Sequence, residues 1–430
     1  MALTGRTAAL ALAGALIVLA FRSVTGLILV EGLLAAGIVV DLLLAAPVRK
    51  LRLTRSGDTK VRLSETAVVT LTIANPSGRP LRAQLRDAWP PSAGAAPRTA
   101  PVALAGGGSA QVRTALTPSR RGDAVAATVT IRSSGPLGLA ARQASRPVPW
   151  RVWALPPFRS RRHLPEKLAR LRELDGQHRS LRRGQGSEFD SLREYVVGDD
   201  VRSIDWRGTA RHSEVLVRTW RPERDRRILV LLDTGRTVAG RVGDAPRLDA
   251  AMDAVQLLTA LAARAGDRLD LIAMDRRIRA RVVGTPRSAV LAAVTDAMAP
   301  LNAELVEPDG AAMAATVLAH ARQRCLVVLL TDLNRAALAE NLLPHVALLA
   351  SRHQLLVGAV ADPRVDELAA GRGEAGLVYT AAAAERARAE RAQVAAELQR
   401  RGAVVVDAPP ERLPPALADA YLALKAAGRL

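Results

Sequence analysis

Acidic and basic side chains alternate densely in the segment 188–211, at a spacing that could serve catalysis. The carboxylates belong to Glu188, Glu194, Asp199, Asp200 and Asp205, and the interleaved arginines are Arg193, Arg202, Arg207 and Arg211. A carboxylate cluster can hold a metal ion or supply the acid and base of a hydrolase. Charges of both signs at this density more often form ion pairs that fix a loop, because perturbed pKa values also arise in structural networks. We therefore favour a structural network, with Tyr195 and Trp206 as apolar anchors, and keep a hydrolase as the alternative.

Two further aspartates follow apolar runs that are typical of buried strands. The run 228–232 ends at Asp233, and the run 326–330 is followed by Thr331 and Asp332. Continuous apolar strands belong to parallel sheets covered on both faces, and ligands bind such sheets beyond the carboxyl ends of the strands. The sequence therefore predicts that Asp233 and Asp332 lie at one edge of a sheet.

The residues Asp233-Thr-Gly-Arg-Thr237 resemble the first motif of von Willebrand factor A domains, Asp-x-Ser-x-Ser. The resemblance implies a divalent cation held by the aspartate, two hydroxyls, a separate threonine and a second aspartate. Asp233, Thr237 and Asp332 match by position, whereas Gly235 replaces the first hydroxyl residue. A water or Asp309 could fill part of the gap. We predict a degenerate site for Mg²⁺ or another divalent cation, since such ions prefer oxygen ligands.

Helical and strand patterns alternate from residue 227 onward. Helices are expected at 248–265, 288–298, 311–322, 335–351, 381–400 and 413–427, and strands at 227–233, 269–274, 326–330, 355–360 and 403–406. This alternation predicts a doubly wound α/β domain. No glycine-rich phosphate loop follows the first strand, so nucleotide binding is not supported. Cys325 lies in an apolar run that offers no histidine, which favours a buried structural thiol over a nucleophile.

Short alternating stretches dominate residues 58–153. Strands are expected at 68–73, 81–87, 111–116, 124–132 and 148–154, and turn-forming residues separate them. Evenly spaced strands without helices are typical of an antiparallel, immunoglobulin-like β-sandwich. We find no catalytic constellation in these stretches and expect a spacer or a partner-binding module.

Two apolar runs, residues 7–21 and 24–46, lie near the start of the sequence. A helix needs about 20 apolar residues to cross a bilayer, and the first run reaches that length only with its flanks. A signal peptide is the alternative, but no clear small-residue cleavage site separates the runs. We therefore predict a transmembrane helical hairpin.

Basic residues flank the predicted hairpin at both ends. Arg6 precedes the first run, and Arg49, Lys50 and further arginines follow the second. Because cytoplasmic flanks carry the excess of lysine and arginine, both ends and the soluble part are expected in the cytoplasm, with the helices in the inner membrane. Asp41, inside the second run, is expected to pair with the basic flank or to reach lipid headgroups.

The segment 159–183 is rich in arginine and carries leucines at three- and four-residue steps, which predicts an amphipathic helix. Contact with anionic lipid or nucleic acid is one interpretation of this helix. A solvated or packed linker helix is the alternative that we favour, and nucleic acid is disfavoured because aromatic residues for base stacking are lacking. The formal net charge of +20 fits an acidic partner of some kind.

The charged segment also carries the clearest family resemblance. It resembles the defining motif of the bacterial family called domain of unknown function 58, through Gly184, Gly186, Glu188, Phe189, Leu192, Arg193, Tyr195, Gly198, Asp199, Asp200, Arg202, Ile204, Asp205, Trp206, Thr209, Ala210 and Arg211. The sandwich segment Gly135-Pro-Leu-Gly-Leu139 belongs to the same resemblance. It implies a non-enzymatic scaffold that works with AAA+ ATPases of the MoxR type in protein assembly or maturation.

These observations together predict four parts. They are a transmembrane hairpin (1–50), a β-sandwich (51–156), a basic linker with the family motif (157–226) and a von Willebrand factor A-like α/β domain (227–430). Hydrolysis by the acidic residues and lipid or nucleic-acid binding by the arginine-rich helix remain the alternative functions.

Overall fold

A computed structural model describes residues 2–21, 24–181, 188–197, 199–211, 214–221 and 226–430. The chain divides into two compact units, Met1–Leu155 and Pro156–Leu430. Each unit has its own sheets and its own hydrophobic core.

The first unit begins with two apolar helices, α1 (Gly5–Phe21) and α2 (Val24–Leu44). They approach closely at Gly14, where a Cβ would lie 2.3 Å from Cγ1 of Val30, so only glycine fits there. Within the described residues, one segment, Val24–Lys50, is long and apolar enough to cross a membrane, and α1 is a shorter apolar helix.

The remainder of the first unit is built from β-strands. They are β1 (Ala2–Leu3), β2 (Arg52–Gly57), β3 (Lys60–Arg62), β4 (Ala67–Ala74), β5 (Leu81–Asp87), β6 (Ala95–Ala96), β7 (Thr99–Leu104), β8 (Ser109–Leu116), β9 (Gly122–Val125), β10 (Val129–Ser134), β11 (Ala140–Arg146) and β12 (Arg151–Leu155). The sheet orders are β1-β11-β10-β5-β7, β2-β4-β8-β6 and β3-β12-β9. Alternate residues of β4 and β5 are buried, and Leu71 and Ile73 share one core with Leu85 and Ile131. The two larger sheets therefore pack as a sandwich.

One predicted strand of the sandwich is wrong in extent. The run 124–132 forms two strands, because β9 pairs with β12 whereas β10 pairs with β5 and β11. The chain thus changes sheets at residues 126–128. The sequence pattern also missed six strands, of which β1, β3 and β6 are short and β7 is interrupted by proline; the others are β2 and β11.

The second unit contains the remaining helices and strands. The helices are α3 (Leu164–Leu181), α4 (Trp206–Thr209), α5 (Arg247–Arg264), α6 (Val290–Met298), α7 (Gly310–His320), α8 (Arg335–Asn341), α9 (Leu343–Arg352), α10 (Pro363–Ala369), α11 (Ala375–Arg400) and α12 (Leu413–Ala426). The strands are β13 (Glu188–Glu194), β14 (Leu216–Arg221), β15 (Arg227–Asp233), β16 (Arg241–Val242), β17 (Ala245–Pro246), β18 (Arg268–Met274), β19 (Ile278–Val282), β20 (Leu326–Leu330), β21 (Gln354–Val360) and β22 (Val404–Ala408).

A six-stranded sheet, ordered β19-β18-β15-β20-β21-β22, forms the centre of this unit. All neighbours are parallel except the edge strand β19, which is antiparallel to β18. Helices α5, α6 and α12 pack on one face, and α7, α9 and α11 pack on the other. The order along the sheet reverses between β15 and β20, which is where such sheets bind ligands.

The second unit differs from the sequence prediction at one long helix and agrees with the favoured interpretation of the arginine-rich helix. The helix predicted at 335–351 is two helices, α8 and α9, and Pro344 stands in the first turn of α9, where its missing N–H is tolerated. The arginine-rich helix α3 packs on the α/β core, with Leu171 buried and Lys167 paired to Asp419 at 2.9 Å.

Candidate functional site

Asp233 and Asp332 lie at the same edge of the central sheet, as the sequence predicts. Leu232 of β15 pairs with Leu330 of β20, so the residues after both strands are neighbours. The hydroxyl of Thr331 donates to Oδ2 of Asp233 at 2.7 Å. This edge is also the position where the strand order reverses.

The Asp233 carboxylate is fully buried, and its hydrogen bonds come from close neighbours. Oδ1 accepts from the backbone N–H of Gly235 at 2.7 Å, and Oδ2 also accepts from the Thr237 hydroxyl at 3.3 Å. Burial raises the pKa of Asp233 although these hydrogen bonds oppose the shift. The protein environment alone therefore disfavours the negative charge here.

The Asp332 carboxylate is paired with arginine side chains. Its Oδ1 lies 2.6 Å from Nη1 of Arg391, and its Oδ2 lies 3.9 Å from Nη1 of Arg247. Arg391 also donates to both oxygens of Asp407, at 2.6 and 2.8 Å, and to the carbonyl of Val360. Burial lowers the pKa of Arg391, but the bonds and charges of Asp407 and Asp332 outweigh it and raise the pKa.

The residues at this edge meet only part of the requirement for a divalent cation. Asp233, Thr237, Thr331 and Asp332 line a cavity of about 20 Å³, which is room for one ion or one water. Against this, Gly235 offers no hydroxyl. The side chain of Asp309, a suggested substitute, instead caps α7 by accepting from Ala312.

The positive charge of a nearby arginine also opposes the binding of a cation. A unit positive charge at 4 Å repels each unit of cation charge by roughly 4 kcal/mol at an effective dielectric constant of 20, and Arg391 touches the second aspartate. Among the described residues, no group of three or more His, Cys, Asp or Glu side chains could hold a metal. The donor set does not fit a full Mg²⁺ site, and we therefore expect no tight binding of a divalent cation at this edge.

The charged segment, here called the signature block (residues 188–211), is held by its own ion pairs and caps. Asp199 contacts Nη2 of Arg193 at 2.5 Å and accepts from the backbone N–H of Val196. Asp200 caps the 3-10 turn Val201–Ser203 by accepting from the N–H of Arg202 at 3.0 Å. These aspartates thus fix the loop that follows β13.

Asp205 has a similar structural role at α4. It accepts from the N–H groups of Arg207 and Gly208, both at 3.1 Å, and pairs with Nε of Arg218 on β14 at 3.1 Å. The hydrogen bond from Arg218 and the backbone hydrogen bonds lower the pKa of Asp205. The carboxylate is therefore a capping and pairing group in its ionised form.

The apolar side chains of the signature block point outward. The exposed fractions are 67% for Trp206, 95% for Val197, 61% for Val196 and 59% for Val201. The expectation that Trp206 anchors the block is therefore wrong, while Tyr195 is half-buried. Arg193, Arg202 and Arg211 of the same block are also exposed.

Five residues of the family motif are described less fully or not at all. Gly184, Gly186 and Gly198 lie outside the described residues. For Glu188 and Phe189 the strand pairing is described, with Arg221 and Trp220 opposite them, but their side chains lie outside the described part.

Comparison with known proteins gives the family of this region. Residues 191–402 match the model of a family described as protein of unknown function DUF58. Over these residues, just under half of the chain, the protein is similar to the DUF58 family. The match includes most of the signature block and the sheet edge with Asp233 and Asp332, and it leaves out the sandwich and both N-terminal helices.

The relatives of this protein include uncharacterized mycobacterial proteins. Rv1480 of Mycobacterium tuberculosis and Mb1516 of Mycobacterium bovis are each 29% identical to it over 200 residues, which is 45% of this chain. The matched part spans 61% of each relative's length.

Solved structures share little with the chain. A CARDB domain from Pyrococcus furiosus, in complex with di-metal ions, is 13% identical and covers 24% of this chain and 86% of its own, with a TM-score of 0.19. A β-glucosidase from Listeria innocua is 18% identical, covers 23% of this chain and 16% of its own, and has a TM-score of 0.16. Such low TM-scores support no conclusion about fold, metal or activity.

Sequence reasoning missed the two arginines at the sheet edge of the DUF58 region. Arg391 lies on α11 within a run of alternating charges that is typical of a solvated helix face. Arg247 begins α5, where no sequence feature connects it with Asp332. Only the packing of these helices on the sheet brings their guanidinium groups to the edge.

Cys325 is buried, and a histidine from another part of the chain lies close to it, although its sequence neighbours include none. Nδ1 of His353 lies 3.6 Å from its sulfur. Burial raises the pKa of the Cys325 thiol to about 11, and burial also lowers the pKa of His353. Both groups are therefore neutral near pH 7, which agrees with a structural thiol.

Proposed function

We propose that this protein is a membrane-anchored interaction protein, not an enzyme, whose α/β unit docks a partner protein. The observation that carries the proposal is the signature block, where Trp206, Val197 and Val201 are exposed on a loop fixed by ion pairs and caps. Exposed apolar side chains on a rigid frame are typical of binding surfaces. Tryptophan and arginine are the residues most enriched among binding hot spots.

Two carboxylates of the block, those of Asp199 and Asp205, favour docking over hydrolysis. A general acid or base needs a carboxyl group whose pKa is close to the working pH. Hydrogen bonds from arginine lower the pKa of Asp199 and Asp205 instead. Both groups already serve the loop, so replacing either by alanine should lower the melting temperature along with any function.

The partner that we propose is an AAA+ ATPase of the MoxR type, acting in protein assembly or maturation. The support for this partner is the family resemblance of the signature block. We also propose that the α/β unit is von Willebrand factor A-like. The sheet order and the placement of Asp233, Thr237 and Thr331 at its reversal point support this fold assignment. Exposed Arg202 and Arg211 in the same block favour an acidic surface on the partner.

We propose that α1 and α2 both cross the inner membrane as a hairpin. Their close approach at Gly14 and the apolar length of α2 support this arrangement. The basic residues outside both helices favour soluble units in the cytoplasm.

Binding of the detergent-solubilised full chain to a purified MoxR-type ATPase of the same organism tests the docking proposal. We expect Trp206→Ala to weaken binding by about thirtyfold, the loss typical of a 2 kcal/mol hot spot. Val378→Asp is the matched control, because Val378 is an exposed apolar residue of the same unit outside the block. Unchanged affinity of Trp206→Ala, or turnover of a hydrolase substrate lost in Asp199→Ala at an unchanged melting temperature, would contradict the proposal.

A further inference from the structure

Asp41 is fully buried near the end of the apolar helix α2. Its carboxylate accepts hydrogen bonds from three backbone N–H groups of one sandwich loop. Oδ1 accepts from Leu137 at 2.7 Å, and Oδ2 accepts from Leu139 and from Ala140, the latter at 3.0 Å. The expected pairing of Asp41 with the basic flank is therefore wrong, because backbone amides satisfy the charge.

The shape of the loop depends on its two glycines. A Cβ on Gly135 would lie 2.5 Å from Cα of Asp41, so no larger residue fits beside the carboxylate. Gly138 has a φ of +71°, which glycine adopts without strain. These glycines belong to the segment Gly135-Pro-Leu-Gly-Leu139, and we call this loop with Asp41 the clasp (Asp41 and residues 135–140).

Further polar contacts lie at the same level of the helices. Nε of Arg142 donates to the carbonyl of Leu42 at 2.7 Å, and Arg79 donates to the carbonyl of Leu43. At the start of α1, the hydroxyl of Thr4 donates to the carbonyl of Gly138 at 2.7 Å, and Thr7 donates to Leu139. The loop is thus bonded to both helices.

No linker separates α2 from the sandwich. The helix ends at Leu44, and Ala46, Val48 and Leu51 are already buried in the sandwich core. The sandwich is therefore rigidly connected to the helix, and the position of the helix in a membrane would determine the distance of the sandwich from the membrane surface.

This belt of charges and backbone groups places the membrane boundary at Asp41. Arginines and open loop backbone are not tolerated in hydrocarbon. Residues 24–40 of α2, which are apolar apart from Glu31, form a segment as long as the 17-residue α1. Seventeen residues span roughly 26 Å at 1.5 Å per residue, close to the hydrocarbon thickness of a bilayer.

We propose that the clasp holds the β-sandwich in the headgroup layer of the bilayer, with loop 135–140 in direct contact with lipid. The inference rests on the proposed membrane anchoring by α2. Exposed Leu137, Leu43 and Leu3 face this layer. Arg6 and Arg142 stand beside them, so an anionic lipid surface fits the loop in both apolar character and charge.

Single-cysteine labelling tests the contact. Cys325→Ala removes the only native thiol. Leu137→Cys then places a fluorophore on the loop. The control is Val125→Cys, a residue of similar exposure beyond the far end of β10 from the loop. Each full-length variant is reconstituted in phosphatidylcholine–phosphatidylglycerol vesicles and quenched with aqueous iodide or with nitroxide-labelled lipid.

We expect lipid nitroxide to quench the label at position 137, and iodide to quench it about threefold less than the label at position 125, because the interface shields it. Asp41→Asn, which replaces one of the two acceptor oxygens by a donor NH2 group, should raise iodide quenching at position 137 toward the control. Equal iodide quenching at 137 and 125 in chains that float with the vesicles would overturn the interfacial contact and leave the anchoring intact. Chains that do not float with vesicles would overturn the anchoring itself, and this inference with it.

Discussion

Arg391 bonds to both Asp332 and Asp407, so the aspartate after β20 is not free to face a cation. In a site built for Mg²⁺ the carboxylates and hydroxyls would leave lone pairs directed at the ion, and the net charge of the donor set would be negative. At this edge a permanent positive charge already neutralises one of the two carboxylates. The guanidinium group thus supplies the positive charge that a bound cation would otherwise supply to Asp332.

Titration calorimetry with Mg²⁺ and Mn²⁺ is expected to show no binding by the full-length protein at concentrations up to about a millimolar. Gly235→Ser adds the missing hydroxyl, although its Cβ would lie 3.0 Å from Cδ of Pro308, so that proline must shift slightly. Combined with Arg391→Gln, it should create a measurable Mn²⁺ site by removing the repelling charge.

Asp233→Ala in the double variant is the control, because it should abolish the new site if the cation lies at the predicted edge. A millimolar or tighter Mg²⁺ site in the unmodified protein that disappears in Asp233→Ala would show that Arg391 does not exclude the ion.

The residues of the sheet edge were only half predictable. Asp233 and Asp332 could be placed together because each follows an apolar run, and parallel strands end at one edge. Arg391 could not be placed, because it lies 59 residues after Asp332 in the chain. Its contact with Asp332 depends on how α11 packs on the sheet. Trp206 was misread because an aromatic residue within a charged segment can face inward or outward, and its local sequence is the same in both cases.

At the scale of elements, a single loop joins two helices to a sheet. The N–H groups of residues 137, 139 and 140 converge on Asp41 only because the loop backbone passes close to α2 at Gly135. Hydrogen bonds to a charged group contribute about 1.5–3 kcal/mol each when both partners are buried. The clasp is therefore expected to be a main source of stability for the first unit.

Gly135→Ala should separate the loop from Asp41 and lower the stability of the first unit by roughly 2–4 kcal/mol, since a buried charge loses partners. Thermal unfolding of the full chain in detergent, followed by circular dichroism, measures the effect. Gly78→Ala is the matched control, a sandwich glycine at which a Cβ would meet no atom within 4 Å. Similar melting temperatures for the two variants would contradict the role of the clasp.

Sequence patterns predicted the bounds of some helices and strands correctly and missed others. The apolar runs of β15 and β20 are continuous, and both strands were predicted at their observed bounds. The break between α8 and α9 was missed, because the apolar periodicity continues across Leu342 and only Pro344 marks a new first turn. The segment 135–140 gave no sign of its partner, since a hydrogen bond from a backbone N–H to Asp41 leaves no pattern in side-chain types.

At the scale of the whole molecule, the charges around the helices support the proposed membrane topology. Arg6 stands before α1, and Arg49 and Lys50 follow α2, all outside the apolar segments. Transferring such flanks across the bilayer during insertion is opposed, which favours the proposed cytoplasmic location of the flanks. Because the sandwich continues directly from α2 and the α/β unit follows it in the chain, we propose the same side of the membrane for both units.

Protease added to intact spheroplasts should therefore leave the region after Leu51 undigested, whereas the same protease should degrade it once the membrane is opened by detergent. A periplasmic protein in the same sample serves as the control that the enzyme is active outside the membrane. Digestion of the sandwich and the α/β unit in intact spheroplasts would place both units outside. In that case a cytoplasmic ATPase could not reach the signature block, and the docking partner would have to be sought on the other side of the membrane.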